Sequence, residues 1–374
     1  VTDRKARIVR TLGAAATKMA LPGIAAERLA DLVAAMYRPV GIDGAADLLR
    51  RPAGTALVVL VRVPGATEVA WLVQGAGPEP PTLGLAPMAV AQPVLDRLRT
   101  TGSAGLSPAD LAPLAGLLPA DLLNATPVPW TLAGAGDLWS VPWAAVPLPD
   151  GSLLGERAPM SVCPSLTLLQ HVRRATTAPI RSVVIWRHPD ITAHELTAFV
   201  DDDRVSCTTA GDAAEARRAL AGDGADLVVI ACHGHRGDGA HLELAPDEAM
   251  PLAELLAPRT PARLLLAACW SAHGATEPGS DPLTFASLAL ARSTVEAVAS
   301  VGELADDAIA TWVVDALCHR WVGAPDAATA LHGAFAQVLR RPAVREGPVD
   351  RWAVLAAVGG VVGPIEPSSE EELA

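Results

Sequence analysis

Apolar residues follow three successive patterns along the first 140 residues. The stretch "AAERLADLVAAMYRPV" has the spacing of an amphipathic helix. Two Val-rich runs, "TALVVLVRV" and "EVAWLVQGA", then flank Pro64-Gly65 and predict a β-hairpin. Helices are predicted next in "AVAQPVLDRLRTTG" and "SPADLAPLAGLLPADLL", the second with Ser107 as N-cap and Pro108 at the first helical position.

From about Leu138 onward, short apolar runs alternate with helical segments. The predicted strands are "RSVVIW", "RVSCTT", "DLVVIAC", "HLELA", "ARLLLAAC" and "VEAVASV". The predicted helices include one opened by Pro164-Ser165, then "TAHELTAFV", "DAAEARRALAG", "PLAELLA", "PLTFASLALARS" and "DDAIATWVVDALCHRWV". Continuously apolar strands that alternate with helices indicate an α/β protein with a mostly parallel sheet covered on both faces.

Two helix details are specific enough to be checked. Asp281-Pro282 predicts the start of the helix in "PLTFASLALARS", with an N-cap followed by proline. In the last helix one stripe at helical spacing predicts a set of core residues. That stripe consists of Ile309, Trp312, Val313, Ala316, Leu317 and Trp321.

Composition and charge narrow the range of functions. The 374 residues suffice for two lobes, and 41 acidic against 29 basic residues give a net charge of −12. This charge disfavours nucleic-acid binding, because phosphates require a basic surface. No apolar run is long enough to span a membrane, and the N-terminal segment lacks the apolar core of a signal peptide. We therefore expect a cytoplasmic protein, whose five cysteines, an odd number without a CxxC pair, are reduced.

A histidine and a cysteine follow two of the apolar strands. His233 comes after "DLVVIAC" and Cys269 after "RLLLAA", 36 residues later, which leaves room for a hairpin and a crossover before a parallel strand. In open α/β sheets, sites form beyond the carboxyl ends of strands. If the two strands are neighbours, the imidazole and the thiol emerge side by side.

A cysteine beside a histidine is a combination that can act as a nucleophile and its general base. A thiol is mostly protonated near neutral pH, and an imidazole within reach can remove its proton. Gly234 would let the backbone approach a substrate closely, and the N–H groups of Gly234 and Cys269 could face an oxyanion. Taken singly, a cysteine after "LLLAA" is more often a core residue, and a loop histidine more often has no function.

Two other readings of the same residues stay open. A zinc site formed by Cys232, His233, His235, His241, Cys269 and His273 is conceivable, although the spacings fit no standard zinc pattern. A catalytically silent scaffold that binds a partner protein is the other. No GxSxG, HExxH, GxxxxGK[ST] or GxGxxG motif occurs, so serine hydrolases, zincins and nucleotide enzymes lack support. No cofactor and no metal are expected.

The two strand-end motifs, "IACHG" and "LAACWSA", resemble those of the CHAT domain, a caspase-like cysteine-peptidase family related to caspases and separases. The segment "LWSVPWAAVPLPDGSLLGERAPMSVCPSLTLL" is also similar to the family pattern, and the order of elements follows it from about Gly54 to Arg341. The resemblance implies a caspase-like three-layer sandwich with a mostly parallel sheet, preceded by a smaller α+β lobe with the β-hairpin.

What the resemblance implies for function is a cysteine endopeptidase. His233 would be the general base, Cys269 the nucleophile, and Gly234 with Cys269 the oxyanion donors. The substrate would be a protein or peptide, and some family members cut a dedicated partner in bacterial signalling or defence. Because this chain carries no repeats, a sensor or repeat-protein partner would be separately encoded, or the N-terminal helices would serve as the sensor.

The sequence departs from the family pattern after "VEAVASV". The family commonly has a Trp where Gly302 stands, and the following aspartate is displaced to Asp306 and Asp307. In the family, acidic residues in this region can favour a basic residue at the cleaved position, which is what the resemblance implies here. The candidates for substrate binding are Asp238, Asp281, Glu303 and Asp306, although any one of them is more often a solvated loop carboxylate.

The patterns together predict four parts of the chain. Residues 1–50 form a helical extension and residues 51–137 the N-terminal lobe of the CHAT domain. Residues 138–365 form the caspase-like peptidase core, and residues 366–374 an acidic tail.

Overall fold

The computed structural model describes the chain between Gly54 and Gly359. Within that range it leaves out residues 63–66, 78, 125–127, 135, 165, 174–177, 192–198, 200–202, 223, 237–239, 257–258 and 273–283. The helices predicted in the first 50 residues, nearly all of "TAHELTAFV" and the acidic tail lie outside the described residues.

Fourteen strands occur in the described residues and form two sheets. They are β1 (Ala56–Arg62), β2 (Glu68–Gln74), β3 (Thr82–Pro87), β4 (Trp130–Gly134), β5 (Met160–Cys163), β6 (Ser182–Arg187), β7 (Ser206–Thr209), β8 (Leu227–Ala231), β9 (His233–His235), β10 (His241–Ala245), β11 (Glu248–Pro251), β12 (Arg263–Ala267), β13 (Glu296–Ser300) and β14 (Leu355–Gly359). The large sheet has eleven strands in the order β3-β2-β1-β4-β5-β14-β13-β12-β8-β6-β7, and the small one has the order β11-β10-β9.

Helices connect and cover these strands. The α-helices of the described residues are α1 (Gln92–Thr101), α2 (Ala120–Asn124), α3 (Leu154–Arg157), α4 (Leu166–Arg173), α5 (Ala213–Leu220), α6 (Phe285–Arg292), α7 (Ala308–Trp321), α8 (Ala327–Val338) and α9 (Pro342–Arg345). The 3₁₀ segments are Pro108–Leu117, Gly136–Ser140, Trp143–Ala145, Leu252–Leu256 and Val349–Arg351.

The centre of the large sheet is parallel and buried on both faces. β7, β6, β8, β12 and β13 pair in parallel in that order, and β13 pairs antiparallel with β14. All residues of β8, β12 and β13 are buried, so helices must cover both faces of the sheet. This confirms the α/β prediction of a mostly parallel sheet in a caspase-like sandwich.

The predicted β-hairpin is present, and it belongs to the same sheet as the core. β1 and β2 pair antiparallel across the predicted turn, while β1 pairs in parallel with β4 on its other side. β4 in turn pairs with β5, which pairs with β14. A single run of backbone hydrogen bonds therefore links the N-terminal strands with the core, and the four-part division of the chain stays a prediction.

Proline changes the type of one predicted helix. "SPADLAPLAGL" forms a 3₁₀ helix over Pro108–Leu117, because Pro113 inside the segment has no N–H for an α-helical bond. Ser107 is the N-cap as predicted, and Asp110 completes a capping box. "PLAELLA" is likewise a 3₁₀ turn, Leu252–Leu256, and not an α-helix.

The predicted start of α6 is wrong by several residues. The helix begins at Phe285 and not after Asp281, because Thr284 is its N-cap and accepts a hydrogen bond from the N–H of Ser287 at 2.9 Å. The Ser287 hydroxyl accepts in return from the N–H of Thr284 at 2.8 Å. This reciprocal pair satisfies two of the amides that a helix start leaves unpaired, so the helix begins there.

One member of the predicted core stripe is not in the core. Val313, Ala316, Leu317 and Trp321 on α7 are buried, and Ile309 is half-buried, but Trp312 is 42% exposed. The guanidinium of Arg341 lies 3.7 Å from the centre of the Trp312 ring. The buried stripe of α7 is therefore narrower than predicted. The indole of Trp312 lies outside the core, where a cation–π contact with Arg341 covers it.

A buried ion pair joins two central strands to a helix. The guanidinium of Arg263 on β12 donates to the Glu296 carboxylate on β13 at 2.6 Å, and both side chains are buried. The same carboxylate accepts from the N–H of Ala327, at the start of α8, at 2.5 Å. None of the helices in the described residues is long and apolar enough to cross a membrane.

Candidate active site

The sheet register places His233 and Cys269 at corresponding positions of adjacent strands. Ala231, the last residue of β8, pairs with Ala267, the last residue of β12. Each candidate lies two residues beyond its paired alanine. The N–H of Cys232 still donates to the carbonyl of Ala267 at 3.3 Å, so the two chains remain together past the strand ends.

Gly234 lies directly against the backbone of Cys269. A Cβ at Gly234 would lie 1.8 Å from the carbonyl oxygen of Cys269 and 3.2 Å from its amide nitrogen. The missing side chain thus lets the two chains meet, a use of glycine different from the expected close approach to a substrate. The backbone N–H of Cys269 acts on the residue's own sulfur and lowers the pKa of the thiol, and its use for an oxyanion stays a prediction.

The Cys269 thiol lies in a half-buried position beside the loop that follows β13. Its Sγ donates to the carbonyl of Leu304 at 3.4 Å and accepts from the N–H of Leu304 at 3.3 Å. Burial raises the pKa of the thiol, the Leu304 N–H opposes this, and the charges of Glu303 and Asp306 raise it further. At rest the group is therefore a thiol, which needs a base to become a nucleophile.

Trp270 turns the chain sharply after Cys269. It has a φ of 60°, in the left-handed region that large residues rarely adopt. Its N–H donates to the carbonyl of Gly302 at 2.8 Å, and the guanidinium of Arg236 lies 4.3 Å from the centre of its ring. A Cβ at Gly102 would lie 2.5 Å from the Trp270 ring. These contacts hold the left-handed turn at Trp270, directly after Cys269.

His233 is in contact with a second histidine that the strand-end argument overlooked. The rings of His233 and His188 lie 4.8 Å apart, centre to centre, in an edge-to-face arrangement at 66°. His188 directly follows β6 and is fully buried. The signal was present in "VVIWRH", because the same rule that selected His233 applies to the end of this strand.

The four predicted substrate carboxylates fall into two groups. Glu303 and Asp306 are exposed and close enough to raise the pKa of the Cys269 thiol by their charge. Asp238 and Asp281 lie outside the described residues. Asp307 has a structural use: it caps α7 by accepting from the N–H of Ile309 at 2.9 Å, and its carboxylate pairs with Arg351.

Further histidines line the hairpin of β9 and β10. The rings of His235 and His241 stack 4.5 Å apart, and Nε2 of His235 lies 3.0 Å from the Glu243 carboxylate. Within the described part of the chain, no group of three or more His, Cys, Asp or Glu side chains has a geometry that could hold a metal ion. Of the zinc candidates, Cys232 is buried, and His273 lies outside the described residues.

An apolar cavity occurs elsewhere in the molecule. It is lined by residues that include Trp143, Met160, Leu331 and Phe335, and by none of the candidate site residues. The strand-end site therefore rests on the geometry of its side chains, and the cavity has no part in it.

The sequence matches the family model of the CHAT domain over residues 106–360. Since this is more than half of the chain, the protein belongs to the CHAT domain family, a family of caspase-like proteases. A search of the curated proteins gives no match.

Solved structures extend the likeness to the fold of separase. Two crystal structures of the Saccharomyces cerevisiae separase–securin complex, at 2.6 and 3.0 Å resolution, superpose with TM-scores of 0.53 and 0.54. In both cases the identity is 10%, and the alignment covers 89% of this chain and 31% of the other. The chain thus spans about a third of the length of its structural neighbours, and the likeness concerns the fold alone.

Proposed function

We propose that the protein is a cysteine endopeptidase in which His233 is the general base and Cys269 the nucleophile. The observation that carries this proposal is the register of β8 and β12, together with the contact between Gly234 and the Cys269 backbone. These two features bring the imidazole of His233 and the thiol of Cys269 to the same end of the sheet, where α/β proteins form their sites.

The raised pKa of the Cys269 thiol defines the first chemical step. His233 takes the thiol proton as the sulfur attacks the carbonyl carbon of the scissile peptide, so a C–S bond forms and the carbonyl oxygen becomes an oxyanion. The C–N bond then breaks, and the protonated His233 gives its proton to the leaving amine. Water, deprotonated by His233, attacks the resulting thioester and releases the acid and the thiol.

Backbone amides are the proposed donors to the oxyanion. These donors are the N–H groups of Cys269 and of Gly234, which lies against the Cys269 backbone. Fixed N–H groups beside the nucleophile stabilise developing negative charge without reorganisation, which contributes several kcal/mol in other acyl-transfer sites. Leu304 already uses its N–H on the sulfur.

The acidic rim supports a preference for a basic side chain in the substrate. Glu303 and Asp306 are exposed and act electrostatically on Cys269, and Asp238 and Asp281 are the further candidates. A positively charged side chain next to the cleaved bond would relieve the repulsion among these carboxylates. We propose that the substrate is a protein partner in bacterial signalling or defence, and that a sensor or repeat protein is separately encoded.

Hydrolysis of peptides and proteins tests the function. Fluorogenic peptides with Arg, Lys, Ala, Asp or Leu before the cleaved bond, and proteins encoded near this one, are incubated with wild type and with Cys269→Ser. Cys207→Ser is the matched control, because Cys207 is also a half-buried free thiol and lies on β7. Wild type and the control should cleave, with Arg and Lys preferred, and Cys269→Ser should not.

Two results would contradict the proposal. If Cys269→Ser retains the cleavage of the wild type, the activity comes from another group. If no preparation cleaves and Cys269 alkylates no faster than Cys207, the thiol is not an activated nucleophile. The chain would then be a caspase-like scaffold that binds a partner protein, which is the second reading of the sequence.

A further inference from the structure

His188 forms the third position in a row of strand-end residues. β6 pairs with β8 on the side opposite to β12, and Arg187 pairs with Ala231. Ala231 also pairs with Ala267. His188, His233 and Cys269 therefore follow three adjacent parallel strands, with His233 in the middle.

The tautomer of His188 is set by its own turn. Its Nδ1 accepts a hydrogen bond from the N–H of Asp190 at 3.1 Å, and its backbone N–H donates to the carbonyl of Ala231 at 2.8 Å. A neutral ring whose Nδ1 is an acceptor carries its proton on Nε2. In the described part of the chain this buried Nε2 has no hydrogen-bond partner, and the ring lies against the imidazole of His233.

A buried donor without an acceptor is costly, so its retention beside a candidate base calls for an explanation. A hydrogen bond from Nε2 to a nitrogen of His233 would occupy the lone pair that a base needs. An edge-to-face contact avoids this, because the positive edge of one ring meets the π-face of the other and leaves both nitrogens of the second ring free. The observed angle of 66° fits this arrangement.

We propose that His188 is a positioning residue for His233: the edge-to-face contact between the two rings holds the imidazole of His233 toward Cys269. This inference rests on the proposed function. The groups that act electrostatically on His188 are His233, Asp190 on its own turn, and Glu243 on β10.

Two substitutions separate positioning from a purely structural role. His188→Asn keeps an acceptor near the N–H of Asp190 but removes the ring from His233. His188→Phe removes that acceptor and keeps an aromatic edge against His233. The measured quantities are the rate of Cys269 alkylation by iodoacetamide between pH 5 and 8, and the midpoint of urea unfolding, with His233→Ala as reference.

Positioning predicts that His188→Asn slows alkylation at pH 7 by about 10- to 100-fold, the loss that follows when a reacting group is displaced by about 1 Å. His188→Phe should stay within about threefold of the wild type, even if it unfolds at lower urea, because the edge-to-face contact remains.

The opposite order overturns the inference. If His188→Asn alkylates like wild type while His188→Phe is slow and less stable, His188 serves only the turn at Asp190. If Cys269 alkylates more slowly in His233→Ala than in wild type, but at the wild-type rate in both His188 variants, the proposed dyad stands and the positioning role of His188 fails. If His233→Ala has no effect, the proposed function fails and the role of His188 falls with it.

Discussion

At the scale of single residues, the tightest backbone contact in the candidate site is that of Gly234 with Cys269. The backbone carbonyl of Cys269 occupies the position that a side chain on Gly234 would take. No rotamer change can relieve that contact, so a methyl group must separate the two strand ends. The alignment of His233 with Cys269 would then be lost.

Gly234→Ala is therefore expected to destabilise the fold by about 1–3 kcal/mol, the usual range for overpacking, and to slow Cys269 alkylation. Urea unfolding and the alkylation rate are the measurements. Gly323→Ala is the matched control, because a Cβ there meets no atom within 4 Å. Equal stability of the two variants would show that the strand ends can separate freely.

His188 gives the fold a defined pH dependence. Burial lowers its pKa, and the charge of His233 lowers it further. In the unfolded chain a histidine binds a proton below a pH of about 6.5, and the folded protein resists this. The unfolded state then binds more protons, so the free energy of unfolding falls as the pH drops below that value.

The corresponding measurement compares urea unfolding of wild type and His188→Phe at pH 7.5 and 5.5. The wild type should lose more stability between the two pH values, by at most about 1.4 kcal/mol per pH unit for one group. If His188→Phe loses as much stability as the wild type between pH 7.5 and 5.5, His188 binds its proton as readily in the folded state as in the unfolded state.

The residues of the site were predictable to different degrees. The placement of His233 and Cys269 at adjacent strand ends could be predicted, because a side chain that follows a buried parallel strand has only one edge of the sheet to reach, while their catalytic roles stay a prediction. Trp270 and Leu304 were missed, since a left-handed turn at a tryptophan and a backbone contact to sulfur leave no trace in the pattern. His188 was missed although "VVIWRH" carried the signal.

At the scale of elements, α7 shows where periodicity alone misjudges burial. Trp312 and Trp321 lie on the same predicted stripe, but the first is exposed under Arg341 and the second is 1% exposed. The apolar period identifies the helix, while the width of the buried stripe depends on α8, which packs against it. Similarly, the sequence predicted an α-helix over Pro108–Leu117, where Pro113 favours 3₁₀ geometry.

Alanine substitutions of the two tryptophans test this assignment. Trp321→Ala should cost about 3–5 kcal/mol, because it leaves a cavity in the core. Trp312→Ala should cost about 1 kcal/mol or less, the contribution of an exposed cation–π contact. The free energy of unfolding from urea titration distinguishes them. Similar losses for both variants would place Trp312 in the core.

At the scale of the whole molecule, one sheet carries both the hairpin and the strands of the candidate site. β8 is paired on both sides and wholly buried, whereas β3 is an edge strand on which Leu83 is 75% and Leu85 62% exposed. The strand order could not be read from the sequence, because β1 pairs with β4 and β5 pairs with β14, and these segments lie far apart along the chain.

Local stability should follow this order across the sheet. Amide hydrogens of β8 and β12 are expected to exchange only by global unfolding, and those of β3 by local opening. Hydrogen exchange followed by mass spectrometry measures both in one experiment. Exchange of β8 as fast as that of β3 would contradict a rigid centre for the site.

The measurement that tests the central claim most directly is covalent labelling of Cys269 by a peptidyl acyloxymethyl ketone carrying Arg next to the reactive carbonyl. Wild type should form a thioether at Cys269 about 100-fold or more faster than His233→Ala, as expected for a general base, with Cys207 unlabelled. Labelling of Cys269 at the same rate in wild type and His233→Ala would contradict the account.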